Sequence, residues 1–395
     1  MCGAVVIPSL AESSCLFATL ESLARNPADL LSRFLILVVV NHRTDAPPGD
    51  KSDNFRTLQR LVESKVSLAP LRLSWVDAAS AGKELPAKGG GVGLSRKIGF
   101  DLALPCLSYE PSEPILVALD ADTLVQPDYL PALVSHFRTT QAGGAVIPFR
   151  HQEDGTPEQR DAIRRYELFL RCYVLGLSLA GSPYAFHTVG SAMACSTGAY
   201  VRAGGMNSRV AAEDFYFLQQ LHRTSSVAQV AGTIVYPSAR VSHRVPFGTG
   251  RSVGRLLAAE EGAVLFYQPE CFLVLGEWLA LVVENIDAGG ENLLVAAETI
   301  SPHLQEYLHG AGFAEVWEKL LSANRDHVRR LTAFHCWFDG LKTMKLIHHL
   351  SAGPYPRCEP WQILPRFFGS AGLKQVEGVD SQLALLRKVQ IGVDC

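Results

Sequence analysis

The sequence lacks the marks of several protein classes. Its nine cysteines (Cys2, Cys15, Cys106, Cys172, Cys195, Cys271, Cys336, Cys358, Cys395) are odd in number and show no C-x-x-C spacing. That argues against a disulfide framework and for a reducing, cytoplasmic setting. Positive charge is not in excess: the formal net charge is −3, so charge gives no reason to expect a nucleic-acid partner. No repeat or low-complexity tract appears. No secretory signal is visible, because Met1-Cys2-Gly3-Ala4-Val5-Val6-Ile7-Pro8 has no basic stretch and runs straight into a short strand. An apolar run long enough for a membrane span, about 20 residues, is also missing. Segment 169–186 is interrupted by Arg171 and two glycines, with Pro183 near its end, and segment 271–283 is short and contains Glu277. Both read as core helices, although peripheral membrane contact by one of them stays open.

What is present suits a globular protein. Hydrophobic residues make up 48% of the 395 and charged residues 19%, ample for a core in one large domain or two ordinary ones. In the first half, Ala4–Ile7, Phe34–Val40, Leu71–Val76 and Ile115–Leu119 read as strands buried on both faces. Helical patterns fill the gaps at Glu12–Ala24, Asn54–Val62, Gly93–Leu104 and Asp128–Phe137. This alternation predicts an α/β fold with a mainly parallel sheet, in which ligands bind beyond the carboxyl ends of the strands. After about residue 254 helical patterns dominate, Asp326–Leu350 among them. The expected division is a catalytic domain over 1–250 and a helical C-terminal region over 251–395. Glycine and proline clusters predict mobile segments at Asn41–Ser52, Ala81–Gly93 and Pro246–Gly254.

The strongest chemical signal is Ile115-Leu116-Val117-Ala118-Leu119-Asp120-Ala121-Asp122-Thr123. Residues at i and i+2 of a strand share a face, so both carboxylates could approach one cation. Hard oxygen ligands suit Mg²⁺ or Mn²⁺ with diphosphate oxygens completing the shell. Solvated loop aspartates, or a helix cap before Pro127-Asp128, are the competing explanation. Lys88, Arg96 and Lys97 flank glycine-rich backbone, a setting that suits a diphosphate, with a surface loop as the alternative. Glu12 and Asn41 lie just beyond strand ends, where a base or ribose could be read, and where turn and capping roles compete. Glu213-Asp214 opens a helix. The pair reads as a general base for an acceptor hydroxyl or as acids favoured by the helix dipole. The arginines of Arg244-Val245-Pro246-Phe247-Gly248-Thr249-Gly250-Arg251 could close over a diphosphate, or the stretch is a helix-capping loop.

Taken in order, these pieces resemble the family 2-like glycosyltransferases of the GT-A fold. Ala4-Val5-Val6-Ile7-Pro8, followed by Glu12, resembles their opening strand, and Val38-Val39-Val40-Asn41 their second. Gly93-Leu94-Ser95-Arg96-Lys97-Ile98-Gly99 is similar to their G-x-x-x-A-R-N-x-G helix start, departing at Ser95 and Lys97. Asp120-Ala121-Asp122 matches the metal motif. Gly204-Gly205-Met206-Asn207 with Glu213-Asp214 matches the acceptor-side element, and Arg240-Val241-Ser242-His243 resembles a segment that coordinates manganese through histidine. The resemblance covers roughly residues 3–245.

It implies transfer of a sugar from a nucleotide-diphosphate donor to an acceptor hydroxyl. Asp120, Asp122 and His243 would hold Mn²⁺ or Mg²⁺. Pro8, Glu12, Asn41, Lys88, Arg96, Lys97, Asp120, Arg244 and Arg251 would line the donor site. Glu213 and Asp214 would be catalytic, with Asp214 the base if the reaction inverts; in retaining relatives the pair only positions the acceptor. The acceptor is unspecified: a saccharide, a lipid-linked group or a small molecule. One alternative is a non-catalytic nucleotide or sugar binder on the same fold. Another is a haloacid-dehalogenase-like phosphatase, but its D-x-D-x-T motif fails here because Thr123 directly follows Asp122.

Overall fold

The computed structural model describes residues 1–64, 68–241, 248–258, 260 and 264–392. The chain folds as two units, 1–164 with 188–258 and 389–394, and 165–187 with 259–388 and 395.

The first unit is α/β. Its strands are β1 (Gly3–Ser9), β2 (Phe34–Asn41), β3 (Arg72–Ala78), β4 (Ile115–Ala118), β5 (Leu124–Val125), β6 (Gly144–Val146), β7 (Met193–Ser196), β8 (Val227–Gln229) and β9 (Val235–Tyr236). Seven of them form one sheet in the order β3-β2-β1-β4-β7-β6-β8, and β5 pairs with β9 apart from it. All neighbours in the large sheet are parallel except those of β7, which runs against β4 and β6. Every residue of β1, β2 and β4 is buried, which explains their unbroken apolar runs. β3 is an edge strand with exposed Arg72 and Ser74, and its sequence is correspondingly mixed.

The chain winds from β1 outward through β2 to β3, then returns to lay β4 on the other side of β1. That reversal opens a crevice beyond the carboxyl ends of β1 and β4, where open α/β sheets bind ligands. The helix Val92–Ala103 covers β1 and β2. It lies close because Gly99 has no side chain: a Cβ there would come within 2.2 Å of Val6 Cγ1.

Two local expectations change. In the segment expected to be mobile at Asn41–Ser52, Pro48-Gly49 instead opens the helix Pro48–Ser64; proline is tolerated in a first helical turn, where its missing N–H costs nothing. The helix Thr249–Leu257 likewise takes up Thr249–Gly254 of the segment expected to be mobile, whose Pro246 and Phe247 lie outside the described residues.

In the second unit helices follow one another from Pro269 onward, and no strand occurs there among the described residues. The segment expected as one helix at 326–350 is two, His327–Trp337 and Gly340–Ala352. Asp339 makes the break by capping the second, accepting from Lys342 N at 3.0 Å. Trp278, Phe313, Trp317, Phe334 and Phe338 are buried together, with ring centroids 5.0–6.3 Å apart. Burying each such ring contributes on the order of 2 kcal/mol. Glu167, beyond solvent reach, is held by Arg171 at 2.8 Å and Arg387 at 2.8 Å. No helix among the described residues is long and apolar enough to cross a membrane, and segment 169–186 is in part the end of the helix Pro157–Leu179.

Candidate functional site

At the carboxyl end of β4 the chain leaves the sheet after Ala118 and turns. Thr123 N donates to Asp120 O at 3.1 Å. A turn, rather than an extended strand face, therefore sets the two aspartates. Neighbouring groups brace it: Thr19 Oγ1 donates to Ala121 O at 2.9 Å, and Gln152 Nε2 to Asp122 O at 2.9 Å. Both side chains stay partly open, Asp120 at 36% and Asp122 at 19% exposure.

Two arginines cross this acidic ground. Arg96, on the helix Val92–Ala103, donates through Nη1 to Glu213 Oε1 and through Nη2 to Asp120 Oδ1. Its side chain is 2% exposed. Burial disfavours its charge, but Asp120, Glu213 and Asp214 more than offset that, so the guanidinium is held charged. Arg240 does the equivalent on the other side. Its Nη2 donates to Glu12 Oε2, and its Nε to Asp122 Oδ2 at 3.1 Å. Its Nη1 also reaches Cys15 Sγ at 3.5 Å.

Glycines let these elements meet. A Cβ on Gly190, just before β7, would fall 2.6 Å from Arg96 Nη2. A Cβ on Gly93 would fall 2.4 Å from Arg209 O and 3.0 Å from Glu213 Cβ. The start of the Arg96 helix therefore lies against the turn that delivers Glu213. That turn ends in Ala212 at φ +57°, a conformation uncommon for residues other than glycine, and the helix Glu213–Ser225 begins immediately. Asn207 Nδ2 donates to Glu213 O at 2.8 Å and fastens the turn.

The two acids of that helix differ in setting. Burial pushes the Glu213 carboxyl up to about 7, against the pull of Arg96 and with the push of Asp214. Burial also raises the half-buried Asp214, again against Arg96. A carboxyl poised near neutrality can take or give a proton at working pH.

Beyond β1 and β2 lies a polar floor. Asn54, buried on the helix Pro48–Ser64, accepts from Ala11 N at 2.9 Å and donates to Asn41 O at 2.9 Å; its Nδ2 is 3.0 Å from His42 Nδ1. Ser9 Oγ, Asn41 Oδ1 and Thr123 Oγ1 are buried without a hydrogen-bond partner among the described residues. Such groups carry a desolvation cost of about 1–3 kcal/mol each unless a ligand or water meets them.

Of the residues singled out in the sequence, ion pairs bring Glu12, Arg96, Asp120, Asp122 and Glu213 into one neighbourhood, with Asp214 beside Glu213. Pro8 is buried in β1 and Asn41 closes β2. Arg96 sits inside the carboxylate network rather than open to a diphosphate. Lys97 turns to Asp101 at 2.9 Å. Lys88 is exposed in the loop after β3, and Arg251 is exposed on the helix Thr249–Leu257. His243 and Arg244 lie outside the described residues. Sequence reasoning missed Arg240 as a site residue, although it stands three positions before His243, and missed Asn54, which reads from sequence only as the start of a helical pattern.

No family model matches the chain, and no curated protein does. Solved structures similar to it include S. aureus TarS 1–349 in complex with UDP-GlcNAc, at 16% identity and TM-score 0.45, covering 85% of this chain and 91% of that one. A second is the mannosyltransferase PcManGT from Pyrobaculum calidifontis with GDP-Man and Mn²⁺, at 15% identity and TM-score 0.40, covering 100% and 87%. A third is glucosyl-3-phosphoglycerate synthase from Mycobacterium tuberculosis with Mn²⁺, UDP and glucosyl-3-phosphoglycerate, at 17% identity and TM-score 0.36, covering 69% and 79%. Likeness at this level assigns no chemistry, which has to come from the site.

Proposed function

We propose that the chain is a GT-A glycosyltransferase that moves a sugar from a nucleotide-diphosphate donor to an acceptor hydroxyl. The observation that carries this is the acidic ring Glu12, Asp120, Asp122, Glu213 at the carboxyl edge of the sheet, held by Arg96 and Arg240 at the switch between β1 and β4. The ordered resemblance of the motifs on these same strands and helices supports the reading.

A divalent cation fits the donor chemistry. Two partly open carboxylates on one turn are hard oxygen ligands, which suit Mn²⁺ or Mg²⁺. Asp120 and Asp122 would hold it, with His243 as a third ligand on the strength of the R-V-x-H likeness. When bound, it would neutralise charge developing on the leaving diphosphate.

The chain's own groups do the rest. The orphaned oxygens Ser9 Oγ and Asn41 Oδ1 give polar contacts for a base and ribose. Arg96 fixes Asp120 and Glu213 at a set distance from each other. Asp214, more open than Glu213 and raised in pKa, removes the acceptor proton if the reaction inverts. In a retaining reaction the same acids would position the acceptor.

The test is a thermal-shift panel of nucleotide sugars with and without Mn²⁺, followed by donor hydrolysis. A donor that binds the folded state raises apparent stability. If no nucleotide sugar shifts the transition in either condition, the proposal fails; binding with no turnover would favour a non-catalytic binder.

A further inference from the structure

We propose that His303, Glu306 and His349 form a Zn²⁺ site in the helical unit, separate in residues and in metal preference from the aspartate pair. His303 and Glu306 stand at i and i+3 on the helix Pro302–Gly310, so they share a face. His349 comes from the last turn of the helix Gly340–Ala352. One ligand atom from each lies within 4.8 Å of the other two. Glu306 Oε2 is 3.5 Å from His303 Nδ1 and 3.5 Å from His349 Nε2. Ligands at the usual zinc distances, about 2.0–2.2 Å, sit roughly 3.4 Å apart around a tetrahedron. The carboxylate oxygen is thus spaced from both imidazoles as one zinc ligand is from another.

Simple ion pairing explains the cluster less well. Glu306 is well exposed, at 68%, and an ion pair at an exposed carboxylate contributes little. His349 Nε2 is shut off from solvent and makes no hydrogen bond among the described residues, a cost that coordination would remove. The surroundings are fixed in advance. The Tyr307 ring lies 5.8 Å from that of His349, and Tyr307 Oη donates to Lys342 O at 2.8 Å, tying the same two helices together.

Two imidazoles and one carboxylate with an open fourth position match Zn²⁺ better than Mg²⁺ or Mn²⁺, which prefer octahedral oxygen shells. Bound there, zinc would staple the two helices together and so stabilise the fold.

The experiment uses the full chain stripped of metal, titrated with Zn²⁺ by calorimetry and followed by thermal melting. The expected result is a site binding about one Zn²⁺ that raises the melting temperature. His349→Ala, His303→Ala and Glu306→Gln should each weaken it at least about tenfold, while His309→Ala, an exposed neighbour on the same helix, should not. Glu306 is exposed, so Glu306→Gln guards against a folding artefact, and circular dichroism of each metal-free variant confirms its fold. Equal Zn²⁺ affinity in wild type and all three ligand variants, or no Zn²⁺ binding by the wild type, would overturn the proposal. Failure at the aspartate pair would not, since Asp122→Ala leaves this site intact.

Discussion

Arg96 and Glu213 form a buried ion pair across 117 residues of sequence, joining the helix that covers β1 and β2 to the turn that presents Asp214. Removing one partner of such a pair leaves an uncompensated buried charge, which typically costs about 3–5 kcal/mol. Arg96→Met should therefore destabilise the chain by an amount in that range, measured by chemical denaturation. Arg96→Met with Glu213→Leu should recover part of the loss. A single-variant cost below about 1 kcal/mol, the range of exposed pairs, would show that the pair is solvated.

The same carboxyl predicts a pH dependence. Glu213 titrates near 7 in the folded chain, above its ordinary value of 4.5. Between those values the folded state binds more protons than the unfolded one, so stability falls as pH rises through that window. Glu213→Gln cannot ionise, and its stability should slope less steeply between about pH 5 and 7. Parallel melting-temperature profiles for the two proteins would refute the assignment.

Activity should have the opposite slope. A base must be deprotonated, so kcat/KM should fall as pH drops through the range in which the Glu213–Asp214 pair, raised by burial, takes up protons, with an apparent pKa belonging to the pair. Asp214→Asn should lower kcat roughly 10²–10⁴-fold with a smaller change in donor affinity. Retained turnover in Asp214→Asn would leave the pair only an acceptor-positioning role.

The sequence made the frame of this site legible, and physics says why. β1, β2 and β4 are buried on both faces, so their apolar runs stand out, and the position of each following polar residue marks a strand end. Asp120, Asp122, Glu12 and Asn41 could be found that way. Partnerships could not. That Arg96 points into the carboxylates and Lys97 out to Asp101 depends on the rotation of one helix, which Gly99 and Gly93 set through contacts with Val6 and Arg209. Arg240 reaches Glu12 across 228 residues, and no local pattern encodes that. The two helices expected as one at 326–350 divide at Asp339, whose capping role an apolar periodicity does not register.

Donor binding should depend on the aspartate pair. With Asp122→Ala, or with metal chelated, nucleotide-sugar affinity measured by calorimetry should fall at least about tenfold, since each ligand lost weakens a site that charged oxygens dominate. Unchanged affinity in EDTA would remove the metal from the proposed function while leaving the transferase reading to be judged on turnover.

Arg240 should compete with any cation that binds at Asp122. Its guanidinium already satisfies Glu12 and Asp122, so a divalent ion arriving at Asp122 competes with a paired arginine. Arg240→Ala removes the competitor and takes from Glu12, only 8% exposed, its ion pair with Arg240. Two opposed results follow. Without metal, the variant should melt below wild type, because a nearly buried carboxylate has lost an ion pair. With saturating Mn²⁺, the upward shift in melting temperature should be larger in Arg240→Ala than in wild type, because the ion now supplies the missing positive charge. Arg240→Lys separates charge from shape. A lysine keeps one positive charge but cannot serve Glu12 and Asp122 in the same fork, so its Mn²⁺ shift should fall between the other two. Equal Mn²⁺ shifts in all three proteins would mean that the cation binds away from Asp122, and that Arg240 serves only to hold β1's loop against the turn after β4.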